Sequence, residues 1–185
     1  MRLWTIIFVA ISFWIVVLLC GNPGNDEVPG ETHNKDVEAV ESAKLKDQTQ
    51  QAQDQDPQGY ISLKLRKLRV SRRNIPGYSS IIYKVSKKHN IDPLILVSLI
   101  HTESNFRHNA VSPDGHRGLM QASKTKVKDV YSDISGGTRV LKEKLKRAHG
   151  NLPKALAYYK GGDNPAAHYQ AKKVLKVYNK LKIEE

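Results

Sequence analysis

Along the chain the distribution of apolar residues changes character three times. Between Leu3 and Cys20 no charge interrupts an apolar run, which Gly21, Asn22, Pro23 and Gly24 end. Such a run predicts either a long signal-peptide core or a minimal membrane span, because roughly 17–25 apolar residues cross a bilayer. From Gly21 to Gly59 large apolar side chains almost vanish. Stretches such as KDQTQQAQDQDPQG cannot bury enough surface to offset their chain entropy, so a disordered spacer is expected there. Ile61–Asn74 (ISLKLRKLRVSRRN) then alternates apolar with basic residues. That pattern suits a basic strand or extended segment on the edge of a domain, or a stretch that docks on a polyanion.

From Pro76 onward the period is helical. YSSIIYKVSKKHN places Ile81, Ile82 and Val85 on one side and stops at His89-Asn90. IDPLILVSLIHTE opens with Asp92 as N-cap and Pro93 at the first helical position. Its Leu94, Ile95, Leu96, Val97, Leu99 and Ile100 leave it apolar on nearly every side, the mark of a buried central helix. SDISGGTRVLKEKLKRAHG predicts an amphipathic helix ended by Gly150, with Val140, Leu141, Leu145 and Ala148 inward. Asn151 can cap LPKALAYY, and Asp163 or Asn164 with Pro165 starts a last helix with Ala167, Ala171, Val174, Leu175, Tyr178 and Leu181 at helical spacing. No stretch reads as a core strand. The expectation is a mainly α domain over 76–183, built around one buried helix. Ahead of it come a signal peptide or anchor (1–20), an acidic linker (21–59) and a basic lead-in (60–75).

Charge sharpens this division. The net +12 of the 185 residues combines +1 from Arg2, −6 over Gly21–Gly59 and +17 from Tyr60 onward. A field of the latter sign suits polyanions: nucleic acid, anionic lipid headgroups or an anionic cell-wall polymer. The sole cysteine, Cys20, excludes an internal disulfide, and no Cys/His spacing resembles a zinc site. The sequence LLCG suggests a lipid-modified cysteine, against which stands the bulky Leu19. Arg2 on the leading side favours export with the N-terminus left inside the cell.

Chemistry concentrates in HTESNFRHNAVSPDGHRGLMQ, where Glu103 is the one acidic residue between Asp92 and Asp114. At the C-terminal end of a buried helix its carboxyl faces desolvation and the negative end of the helix dipole, both of which favour the protonated form. A carboxylic acid protonated near neutral pH is what a general acid needs to protonate a glycosidic oxygen. The loop VSPDGHRG can bring a hydroxyl and backbone amides over that group, and the Gln121 amide can both donate to and accept from a sugar N-acetyl group. Taken alone, Glu103 reads more readily as a surface residue paired with Arg107 one turn along.

The sequence ESNF…AVSPDGHRGLMQ, followed by ALAYYKGG, resembles the catalytic domain of the soluble lytic transglycosylases, lysozyme-fold enzymes that cut peptidoglycan glycan strands. The resemblance runs from about Tyr78 to Tyr178. It implies Glu103 as sole catalytic acid, with Ser104 completing a Glu-Ser motif and Ser112, nine residues on, near the reacting centre. It implies Gly118, Met120 and Gln121 in a Gly-Leu-Met-Gln substrate-binding motif, and Tyr158 as the tyrosine of an Ala-Tyr-Asn motif. Three departures stand out: Tyr159 where the family has an asparagine that positions the glutamate or substrate, His116-Arg117 before the Gly-Leu-Met-Gln motif, and ASKTKV after it.

The resemblance further implies cleavage of the β-1,4 bond between N-acetylmuramic acid and N-acetylglucosamine, with a 1,6-anhydromuramoyl product and neither metal nor cofactor. The substrate's acetamido group replaces a second carboxylate. A hydrolytic muramidase on the same fold would use a partner among Asp114, Asp129, Asp133 and Asp163, with Asp163 otherwise serving as a helix cap. From a different class, a non-catalytic module could bind wall polymer or another polyanion through its basic face. The expected partners are peptidoglycan strands, an anionic wall polymer or membrane surface, and an envelope-spanning machinery; nucleic acid is disfavoured.

Overall fold

The computed structural model describes residues 55–183 together with Ala43, Asp47 and Gln51. The apolar run of residues 3–20 and most of the acidic linker lie outside the described residues. Among the described residues six helices follow one another from Pro57 onward: α1 (Pro57–Lys67), α2 (Ile75–His89), α3 (Pro93–Ser104), α4 (Val130–Arg147), α5 (Leu152–Tyr159) and α6 (Pro165–Ile183). Within the same residues β structure is limited to two antiparallel bridges, Val111–Arg117 and Arg117–Ser123, in the loop joining α3 to α4.

The central helix is α3. Asp92 Oδ1 accepts from the Leu94 amide at 2.8 Å and Pro93 occupies the first turn, so the start is fixed as the sequence predicts. Leu96, Val97, Leu99 and Ile100 have no exposure at all, each contributing roughly 1.5–3 kcal/mol by leaving water. Packed around α3 are α1, α2 and α6, while α4 joins α2 to α5 and α5 lies along α6. Two polar bonds fix the helix at its ends. Tyr178 of α6 donates to Asp92 Oδ2 at 2.7 Å, and the Tyr78 hydroxyl of α2 donates to Phe106 O at 3.3 Å, just past the C-terminus. Asn105 closes α3 in the left-handed conformation at φ 50°.

The basic lead-in differs from expectation. It is a helix, starting inside the span read as linker, with Asp56 as N-cap to the Gly59 amide at 2.8 Å and Pro57 in the first turn. A strand would have placed Ile61, Leu63 and Leu65 on one face. Instead Ile61 and Leu65 are fully buried at i, i+4 spacing, Leu63 is 48% exposed, and Lys64 is 1% exposed with its ammonium 4.9 Å from the Tyr60 ring centre. The methylene stem of a lysine covers apolar surface well enough for this. Farther along, Asn151 caps α5 through the Lys154 amide, and Asn164 rather than Asp163 caps α6 through the Ala167 amide.

Candidate active site

Glu103 is the penultimate residue of α3, where the helix emerges from the core toward the bridged loop. Its side chain is 13% exposed, and Oε1 lies 2.7 Å from the Lys160 ammonium, itself 12% exposed. The expected alternative, a surface pair with Arg107, is not formed; Arg107 Nε donates to Ser104 O at 3.1 Å. Burial raises the Glu103 pKa above the ordinary carboxylate value, and the charges of Lys160 and His116 together with the Lys160 hydrogen bond work against that rise. Desolvation outweighs them, so the carboxyl holds its proton to higher pH than a free glutamate.

Behind the carboxyl, α4 and α5 shape the loop. The buried Asp133 of α4 accepts from the backbone amide of Leu119, and from that of Met120 at 3.4 Å. Its pKa is raised by burial and drawn back by these two amides. Gly118 sits at φ +88°, and a Cβ there would collide with the Asp133 carboxylate and lie 2.8 Å from Val127 Cγ2. Glycine therefore lets the turn close onto Asp133. From α5 the Tyr159 hydroxyl donates to Met120 O at 2.8 Å. Its pKa is pushed well up, first by burial and then by the negative charges of Glu103 and Asp133, which keeps it a neutral donor.

The sequence-predicted residues divide between these roles. Glu103 lies at the end of α3 with its carboxyl mostly buried. Ser112 shapes the loop by accepting the His116 amide on Oγ at 3.0 Å. Gln121, at φ 49°, donates from Nε2 to Gly118 O at 2.7 Å and to Ala110 O at 3.2 Å, so its amino group holds the loop. Two expectations are corrected by burial. Ser104 is buried and donates back to Ile100 O, as serine often does at a helix end, and the fully buried Met120 side chain meets α4 at Gly137. Both support the site from the core side.

The ring of Tyr158 faces the Arg147 guanidinium at 4.5 Å and the Lys154 ammonium at 5.7 Å. The tyrosine bonded to the loop is Tyr159, through Met120 O, and Lys160 caps the same helix end. The signal was present: Leu152, Ala155, Leu156 and Tyr159 follow i, i+3, i+4, i+7 spacing, which puts Tyr159 on the inner face and Tyr158 off it. Of the possible second carboxylates, Asp129 caps α4 and Asp163 is half exposed between His168 at 2.6 Å and Lys154 at 3.6 Å.

A mostly buried carboxyl at the end of a central helix, faced by a small bridged loop within a helical shell, defines a lysozyme-like domain. Residues 80–181 match the model of the transglycosylase SLT domain, and the chain belongs to that family. It is 31% identical over 87 residues to the membrane-bound lytic murein transglycosylase F of Marinobacter nauticus, covering 43% of this chain and 16% of that protein. It is 34% identical over 89 residues to a transglycosylase of Enterobacteria phage PRD1, covering 44% of this chain and 33% of that one. The matched part is thus a third or less of either relative's length.

Proposed function

We propose that the domain is a peptidoglycan lytic transglycosylase with Glu103 as its only acid and base. The observation that carries this is the isolation of Glu103. Among the described acidic residues it is the one that is mostly buried and bound to no backbone amide, whereas Asp133 is committed to Leu119 and Met120. One carboxyl suffices when the substrate supplies the rest. The Glu103 proton passes to the oxygen leaving the muramic C1, and the C1–O bond breaks. The 2-acetamido group stabilises the resulting cation, and the muramic C6 oxygen attacks C1 while its proton returns to Glu103. No water is consumed, and a 1,6-anhydro end results. Membership of the family and the murein in the Marinobacter relative's name support this substrate class, and the phage relative's name supports the reaction type.

Digestion of purified sacculi, with the products analysed by mass spectrometry, tests it. Wild type should yield anhydromuramoyl ends, one water lighter than reducing ends, and Glu103→Gln should yield none while still sedimenting with sacculi. Plain reducing ends would instead make the enzyme a muramidase. Sacculus binding that vanishes with salt, unaccompanied by any cleavage, would leave only a polyanion-binding module. The apolar run of residues 3–20 supports export to the cell envelope, cleaved or retained as an anchor. Among the described residues no helix is long and apolar enough to cross a membrane.

A further inference from the structure

We infer that Lys160 is a positioning residue for Glu103: its ammonium fixes Oε1, leaving Oε2 as the oxygen presented to the glycosidic bond. This rests on Glu103 being the acid proposed above. Three ion pairs are present among the described residues, and the other two, Lys154–Asp163 and His168–Asp163, have side chains 43–50% exposed. Exposed pairs of that kind contribute little. The Lys160–Glu103 pair, at 2.7 Å and with both partners mostly buried, is of a different kind.

The lysine is held where it stands. Lys160 terminates α5, and its amide donates to Leu156 O and Ala157 O at 3.0 Å, so its Cα belongs to a closed helix end. Gly161 and Gly162, at φ +127° and +120°, then turn the chain away. Its neighbour Tyr159 is bonded to Met120 O, which locks α5 against the loop that Glu103 faces. The ammonium is therefore part of the rigid wall of the site. An asparagine at this position would hold a carboxyl by a neutral amide and prefer neither protonation state as strongly. An ammonium favours the carboxylate.

That difference can be measured. The charges acting on Glu103 are Lys160 from the end of α5 and His116 from the loop; from the same α5 end Tyr159 stays neutral, and from α4 Asp133 is bound to backbone amides. Lys160→Met removes the charge and retains the bulk, Lys160→Asn supplies a neutral amide, and Lys160→Arg keeps the charge. The carboxyl carbon of Glu103, assigned by its loss in Glu103→Gln, is titrated by NMR in each. In parallel the pH dependence of kcat/KM on sacculi is recorded. With Lys160→Met and Lys160→Asn, the Glu103 titration and the alkaline limb of the rate profile should both move up by about one pH unit or more, the usual effect of an adjacent opposite charge. Lys160→Arg should restore the titration to near wild type. An unmoved titration in the two neutral variants overturns the inference, as does an equal shift in all three. If the titration moves as stated but wild type cleaves no sacculi at any pH, the coupling stands and the proposed function falls.

Discussion

Replacing Asp133 by asparagine tests how the loop is held against the helices. The substitution preserves volume, so no cavity forms, and it removes the charge from a carboxylate that accepts two backbone amides, Leu119 N and the longer Met120 N at 3.4 Å. Hydrogen bonds to a charged group contribute roughly 1.5–3 kcal/mol each. The long one belongs at or below the bottom of that range, so the two together contribute about 3–4 kcal/mol. Asparagine keeps one oxygen acceptor but turns an NH2 toward the other amide, so one buried donor is left unmatched. Against this, the protein no longer buries a carboxylate, a cost visible in the raised Asp133 pKa. The net loss is about 2–3 kcal/mol. At roughly 3–5 °C per kcal/mol for a domain of this size, thermal unfolding by circular dichroism should fall by about 10 °C. Hydrogen exchange should also lose protection specifically at Leu119 and Met120. A Tm within about 2 °C of wild type, with both amides still protected, would refute the assignment of Asp133 as the clamp of this turn.

Two further outcomes distinguish neighbouring residues that the sequence alone treats alike. Tyr159→Phe, which strips the donor to Met120 O, should cost about 1 kcal/mol in chemical denaturation and lower the cleavage rate, whereas Tyr158→Phe should leave both near wild type because its ring keeps its place over Arg147. Ile61→Ala should destabilise the domain by about 2–4 kcal/mol, while Leu63→Ala should stay within about 0.5 kcal/mol. Equal effects at Ile61 and Leu63 would favour a strand over the helix α1.

The central helix was legible because its signals agree: a cap at Asp92, a proline at Pro93 and apolar residues all round. α1 was not, because Ile61, Leu63 and Leu65 satisfy a period of two as well as Ile61, Leu65 and Leu68 satisfy a helical one. The burial of Lys64, which decides between them, depends on packing that local sequence does not carry. At the site Glu103 was found from helix position and motif. Its partner was not, since Arg107 lies one turn away in sequence and Lys160 lies far along the chain, brought in only by the packing of α5 against the loop. Asp133 was named only as one of four possible second carboxylates for the same reason: whether an aspartate in the first turn of a helix serves as cap, catalyst or clamp depends on where a loop returns.

Placement of the lysine also changes the account of how Glu103 would work. Sequence reasoning gave it two influences of one sign, desolvation and the helix terminus, and an acid so treated would hold its proton well but release it reluctantly. The buried ammonium at 2.7 Å opposes both. In the proposed reaction the same group donates a proton and later accepts one, so neither form can be favoured far beyond the other without slowing a step. In that reaction burial would favour the protonated form before transfer, and Lys160 would stabilise the carboxylate left once the proton has moved to the departing oxygen. Because the ammonium is fixed by the end of α5, that stabilisation requires no reorganisation at the moment of transfer. A neutral residue at position 160 would shift the balance toward proton retention, aiding occupancy of the acid form at higher pH and hindering its discharge.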